Sequence, residues 1–380
     1  MKNLKKKHVK KMALKQDNQS IKDFKITNRI LSSLRKTQAP LIAILGGMLI
    51  GAIILLLSGH NPITAYVELF IGAFGGADNA NLASTISRAA PIVGMAMCAV
   101  IAFRAGFTNI GGEGQLIIGG ITAALVGVYF PLPNPILLPV TILLAALAAG
   151  LYALIAAFMQ FKFRVPLLIS TLLMNYPAKI FATYLVTNPF KDVPSFTNQT
   201  YMVTEGIRFP LIVPHTQLHA GIFITVAIVI MVIFIDRQTV IGYKIRMTGL
   251  NKRFANYGGI DVTKLGYRVM FTSGAIAGIV GAIEVLGITY RYVDGALALP
   301  MYAWNGLMAA LLVESNPFGA LLAGFFFSAL QTGGFGMERN TAVARELSRV
   351  LQALIIMLVA VSPSLSLIQQ KMKWKKKNES

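Results

Sequence analysis

Long blocks of apolar sequence, each near the length that crosses a bilayer, leave this chain few ways to fold. They run Pro40–Ser58, Ile86–Phe103, Ile110–Phe130, Leu137–Phe161, Pro166–Val186, Ala220–Ile235, Tyr267–Ile288 and Leu347–Ser362. A membrane core takes about 20 such residues per helix. With 55% hydrophobic and only 13% charged residues, the chain has little polar sequence with which to wrap these blocks in a soluble shell. Backbone polar groups in lipid must bond within their own segment, so each block is expected to be a helix. The fold class is therefore all-α, a polytopic membrane helical bundle. Two further apolar stretches, Tyr302–Val313 and Phe318–Thr332, flank Glu314-Ser315-Asn316-Pro317 and read as two short or partly re-entrant helices. The total is about ten transmembrane helices, with eight plus a re-entrant pair as the alternative.

The position of the charges decides what a net charge of +20 means. Twelve of the 35 Lys and Arg fall in residues 1–39 and five in Lys371–Lys377. With ten spans and both termini cytoplasmic, 27 basic residues lie inside, 7 lie outside, and Lys179 falls within a span, which satisfies the positive-inside rule. The partner of this charge is the lipid membrane, not nucleic acid. Residues 1–39 form a basic cytoplasmic tail, in which Ile21–Leu34 is either an amphipathic helix at the lipid surface or disordered. Residues 40–362 form the transmembrane domain, and residues 363–380 a second basic cytoplasmic tail. The tail ahead of the first block is too charged and too long for a cleavable secretory signal, so the first span is expected to stay in the mature chain. The larger polar connections are an outer loop, 188–218, and an inner loop, 236–267. Neither has room for a soluble catalytic domain.

Within the greasy sequence, FRAGFTNIGGEGQ (Phe103–Gln115) is a break: glycines loosen a helix, and an uncompensated acid at a helix centre in lipid costs about 2.5–3.5 kcal/mol. Asn109, Glu113 and Gln115 either line a solute path or satisfy backbone groups freed by the break. A helix starting near Gly112 puts Glu113 and Leu116 on one face and turns Gln115 away. Asn175 and Tyr176 sit beside Pro177, where the helix kinks, and are candidates for the same path; Asn175 can equally bond between helices. Lys179 either snorkels to the headgroups or pairs with Glu284. Trp304-Asn305-Gly306 opens the second interruption, which would mirror the first in an internally repeated transporter and makes Trp304 and Asn305 further candidates for the path. Trp304, Tyr290 and Tyr292 suit either stacking on a base or anchoring at the interface.

The inner loop carries a second signal. Asn251 can cap a helix over Lys252–Tyr257, with Arg253 on it, and Gly258-Gly259 can end it, giving a rigid handle at the cytoplasmic surface. No phosphate loop of the GxxxxGK[ST] form and no dinucleotide fingerprint occurs, so ATP hydrolysis is not expected of this chain. His8, His60, His215 and His219 are scattered, and the His215/His219 spacing falls after Pro214 in a loop, where a solvated turn is expected rather than a metal site. The lone Cys98 makes no disulfide. No metal, cofactor or catalytic residue is expected.

Three segments in order, AFRAGFTNIGGEGQLIIGG, STLLMNYPAKIFATYLV and TGLNKRFANYGGIDVTKLGYRVMFTSGAIAGIVGAIEVLG, resemble the permease subunits of ATP-binding-cassette importers for sugars, branched-chain amino acids and nucleosides. The likeness covers Pro40–Ser362, and NIGGEGQ (Asn109–Gln115) brings it nearest the nucleoside-type branch. The resemblance implies a non-catalytic subunit of the bacterial cytoplasmic membrane that encloses the path with a second homologous permease. It further implies that an external binding protein delivers the solute and that a separate ATPase subunit receives Asn251–Gly259 as a coupling helix. A simple-sugar importer of the same superfamily is the alternative, and a proton-coupled secondary transporter using Glu113 and Glu284 is the rival on physical grounds.

Overall fold

A computed structural model describes residues 45–76, 80–341, 343–344, 347 and 349–358 of the chain. The two basic tails, with the Ile21–Leu34 stretch, and the tail-side ends of the first and last apolar blocks lie outside these residues. Apart from two isolated bridges, Gln199 with Val293 and Leu211 with His219, regular structure among the described residues is helical. The described residues divide into two compact units, those of 45–62 with 349–358 and those of 63–348.

The first unit contains α1 (Leu45–Leu57) and α13 (Arg349–Leu358). They approach closely where Gly47 has no side chain: a Cβ there would stand 3.1 Å from the Ile355 Cα. Gly59, at φ +79°, ends α1, and His60 N–H closes back on the Leu55 carbonyl at 2.9 Å.

The second unit runs through α2 (Pro62–Phe74), α3 (Ala80–Arg104), α4 (Gly112–Tyr129), α5 (Asn134–Phe163), α6 (Leu167–Thr187), α7 (Ile222–Gln238), α8 (Val240–Leu250), α9 (Lys252–Tyr257), α10 (Val262–Glu284), α11 (Tyr302–Leu312) and α12 (Pro317–Asn340). A π-helical turn, Val285–Thr289, extends α10. The central helix is α10, packed on α5, α4 and α3. In lipid there is no hydrophobic force between helices, so contact is built from small residues that let backbones meet. Gly274 lies against the Ala149 carbonyl, and Gly278 lies where Ala145 and Gly119 leave no space for a Cβ. Elsewhere Gly306 brings α11 onto Ala96 of α3, and Gly72 brings α2 onto Gly336 of α12.

Three features depart from the sequence expectations. Helix α2 has no counterpart among the expected blocks, because it is only 13 residues long and carries Glu68, which accepts a hydrogen bond from Asn340 at 2.7 Å. The second of the two expected short helices is a full 24-residue helix, α12, whose polar end stays helical because Gly333 and Gly336 seat it on α2. The inner loop contains α8, bent 75° from α7, as well as α9. Among the described residues five helices (α3, α4, α5, α10 with its π turn, and α12) are long and apolar enough to cross a membrane, six if the bent α7–α8 pair is one span.

One end of this unit is closed by the loop between α6 and α7. Val203, Ile207 and Phe209 pack on Val126, Leu137, Ile283 and Leu286, while Phe209 N–H reaches the Leu286 carbonyl at 3.0 Å. His215 does sit in a turn, at φ +59°, but the expected solvated setting fails for His219. His219 is buried, its ring stacked 5.9 Å from Phe209, and its Nδ1 accepts Gly221 N–H at 3.2 Å. Burial pushes its pKa down to about 4.

Candidate functional site

The break begins as a helix stop. Gly106 adopts φ +74° after Arg104, and Phe107 N–H bonds the Ala102 carbonyl at 3.0 Å, so the chain turns back on α3. It climbs beside α3 until Asn109 lies next to Gln115 and Ser273, and α4 starts at Gly112. The polar side chains here bind the break itself. Asn109 and Gln115 exchange amide hydrogen bonds at 3.0 and 3.1 Å, Asn109 also donates to Ser273 Oγ at 2.8 Å, and Gly111 N–H donates to Asn109 Oδ1 at 3.0 Å. Asn175, on α6, accepts Gly114 N–H at 2.8 Å and donates to the Ile110 carbonyl at 3.2 Å. Thr171, one turn earlier, accepts Ile110 N–H at 3.1 Å. Asn109, Asn175 and Thr171 thus supply the partners that a broken helix loses inside a membrane, and Gln115 and Ser273 hold Asn109 in place.

Glu113 is the exception. In the first turn of α4 it turns from this network, pairs with Lys179 of α6, and accepts Trp304 Nε1–H of α11 at 2.7 Å. The position also favours an anion, because a helix N-terminus presents unpaired N–H groups and the positive end of the helix dipole. Neither expectation for Lys179 holds: its ammonium goes to Glu113, not to Glu284 or to the headgroups, because α4 is registered on α6 by Gly114 and Asn175. Beside Glu113 a narrow cleft is lined by Asn109, Gly112, Trp304, Met95, Cys98 and Leu307, among others. Its free space, about 10 Å³, holds about one water. The site is closed to any larger solute in this conformation.

Of the expected path residues, Asn109, Glu113 and Trp304 line the cleft, while Gln115, Asn175, Tyr176 and Asn305 do not. Tyr176 faces outward from α6. Tyr290 lies under the Arg208 guanidinium, 5.3 Å from its ring centroid, and Tyr292 is buried, so neither ring is open to stacking.

The second group lies at the Arg104 end. Thr239 caps α8 by accepting Gly242 N–H at 3.1 Å, Asn251 caps α9 by accepting Phe254 N–H at 3.0 Å, and Gly259 ends the turn at φ +79°. Arg253, Phe254 and Tyr257 are exposed on α9. Lys252 instead reaches back over the Phe107 ring, 4.5 Å from its centroid, and desolvation holds its pKa below the ordinary lysine value. Gly249 sits so close to the Arg104 carbonyl that no side chain would fit. Asp236 at the end of α7 accepts Arg104 Nε–H at 2.5 Å and Arg246 Nη1–H at 3.4 Å, while Arg104 Nη1–H reaches the Ser315 carbonyl at 3.1 Å. The start of the break, the α7–α8 bend and the α11–α12 turn are thereby tied into one node. Sequence reasoning missed Asp236 as the centre of this node and Lys179 as the partner of Glu113; an acid at the margin and a cation at the middle of apolar blocks were the available signal. No cluster of metal-ligating side chains occurs among the described residues.

Residues 81–360 match the family described as the branched-chain amino acid transport system permease component. The chain belongs to this permease family. The permease is 32% identical over 342 residues to the guanosine ABC transporter permease protein NupP of Bacillus subtilis, a match spanning 89% of its own length and 97% of that relative. It is 29% identical over 355 residues to the nucleoside ABC transporter permease protein NupB of Lactococcus lactis, spanning 91% and 96% of the two chains. A glucose ABC transporter permease protein of Haloferax volcanii, TsgB13, is 27% identical over 336 residues, spanning 85% and 87%. The helices of this permease are those of a membrane protein.

Proposed function

We infer that this permease is the non-catalytic, path-forming subunit of an ATP-binding-cassette importer for nucleosides. The observation that carries the reading is its end-to-end similarity to guanosine and nucleoside permeases. In this reading about ten helices span the bacterial cytoplasmic membrane with both termini inside. The chain pairs with a second homologous permease, and an external binding protein delivers the nucleoside. A separate ATPase binds Asn251, Lys252, Arg253, Tyr257, Gly258 and Gly259. The exposed Arg253, Phe254 and Tyr257 offer that partner a charged and aromatic surface, and Lys252 on Phe107 offers a route for its motion into the break. ATP-driven closure of the ATPase pair would shift α9, move the Asp236 node and open the cleft beside Glu113, provided the solute binds the two states unequally.

Of the proposed path residues, Glu113 and Trp304 bear most directly on the solute, because Asn109, Gln115 and Asn175 are already committed to the break. The glucose-permease relative keeps a simple-sugar importer as the second reading. Uptake of labelled guanosine by cells carrying the whole system, competed by a panel of nucleosides and by glucose, tests the choice. Competition by nucleosides, and a changed KM or rate in Glu113→Ala, are expected; competition by glucose alone would move the assignment to sugars.

A further inference from the structure

Lys179 occupies a place that a lipid-facing lysine does not hold. At 1.5 Å per residue it lies about 12 Å along α6 from Thr187 and about 18 Å from Leu167. Helical Cβ atoms tilt toward the helix N-terminus, and the ammonium meets Glu113, whose neighbour Gly114 bonds Asn175, one turn nearer Leu167. The side chain therefore runs toward the middle of the helix rather than toward the nearer headgroups, the reverse of snorkelling. Yet 43% of it is exposed, against 9% for its partner.

Tyr176, Lys179 and Thr183 recur at helical spacing along one face of α6, bordered by the exposed apolar Leu173 and Ile180. Tyr176 is 62% exposed, and the Thr183 hydroxyl donates to Asp294 Oδ1 at 2.9 Å in the connection between α10 and α11. Polar groups thus descend in steps from Asp294 through Thr183 and Lys179 to Glu113 at the cleft. Although 21 residues long, α6 is missing from the helices apolar enough to cross a membrane, since Asn175, Tyr176 and Lys179 fall at its middle.

We propose that this face of α6 is wetted, lining the route by which the solute crosses, and that Lys179 is a solute contact whose ammonium passes from Glu113 to a hydroxyl or carbonyl oxygen of the solute as the cleft opens. Three N–H donors on a flexible stem suit an uncharged, hydroxyl-rich and carbonyl-bearing solute such as a nucleoside. The identity of that solute rests on the importer reading above; the wetting of the face does not.

The test uses the complete transporter with Cys98 replaced by Ala. Tyr176→Cys, Lys179→Cys and the charge-balanced Glu113→Gln/Lys179→Cys pair are treated with a charged, water-soluble methanethiosulfonate. Ile230→Cys, on the exposed face of α7, is the lipid-side comparison. Only a hydrated thiol ionises and reacts, so Tyr176→Cys and at least one Lys179→Cys form are expected to label ~10-fold or more faster than Ile230→Cys, and guanosine is expected to slow them. Fast labelling that no nucleoside slows would support the wetted face and overturn the nucleoside as its solute. Tyr176→Cys and both Lys179→Cys forms labelling as slowly as Ile230→Cys, in transporters that still take up guanosine, would overturn the inference and leave the importer reading standing.

Discussion

The Lys252 ammonium on α9 lies 4.5 Å from the centroid of the Phe107 ring, the first large side chain of the break. A cation over an aromatic face is worth about 0.5–2 kcal/mol depending on desolvation, so it can transmit a push without locking the two parts together. Phe161 of α5 also meets this ring edge-on, with the centroids 5.8 Å apart, so Phe107 touches both α9 and α5. Phe107→Ala is expected to lower nucleoside uptake several-fold while ATP hydrolysis by the assembled transporter stays within about twofold, an effect the size of the lost contact. Measuring uptake per ATP hydrolysed checks this, and an unchanged ratio would remove Phe107 from the coupling route.

Gly259 holds φ +79°, whereas proline is fixed near −65°. Replacing Gly258 and Gly259 together by proline is expected to leave membrane insertion intact and to abolish ATP-driven uptake. Undiminished uptake by the double variant would detach α9 from the ATPase.

Asn175→Leu would leave the Gly114 N–H and the Ile110 carbonyl without their partner. Each unmet buried backbone group costs about 1–3 kcal/mol, so the melting temperature of the detergent-solubilised chain should fall by several degrees. A melting temperature equal to that of the parent would show that the break is not held from α6.

His219 supplies a pH prediction for the closed end of the bundle. Its folded pKa of about 4 lies below the ordinary histidine value of 6.5, so the neutral ring is the form that packs. The contribution is fully present above about pH 6.5 and is lost as pH falls toward 4, because the unfolded loop binds the proton first. Protease cleavage within residues 209–221 should rise over that window and should not do so in His219→Phe, which keeps the stack on Phe209 without a titrating group. Equal pH dependence in both would assign the transition to other groups.

What the sequence made legible was written in local chemistry. The break announced itself through Gly106, Gly111 and Gly112 among polar residues, and α9 through its Asn251 cap and Gly258-Gly259 stop; both elements stand where those residues placed them. The Lys179–Glu113 pair was not legible, because a lysine at mid-helix has several acids within reach of its length, and only the register of α4 on α6 selects one. Helix α2 was hidden for a related reason: its 13 residues are held by Gly72 meeting Gly336, a contact with no local signature. His219 looked solvated because Pro214 and His215 do form an exposed turn, and its burial comes from Phe209, across the loop.

The central claim is tested most directly in proteoliposomes holding the permease with its ATPase, second permease and binding protein, by following labelled guanosine. Uptake is predicted to require ATP and the binding protein together, and to be competed by other nucleosides but not by glucose. Uptake by this chain alone down a proton gradient, with no response to ATP, would contradict it.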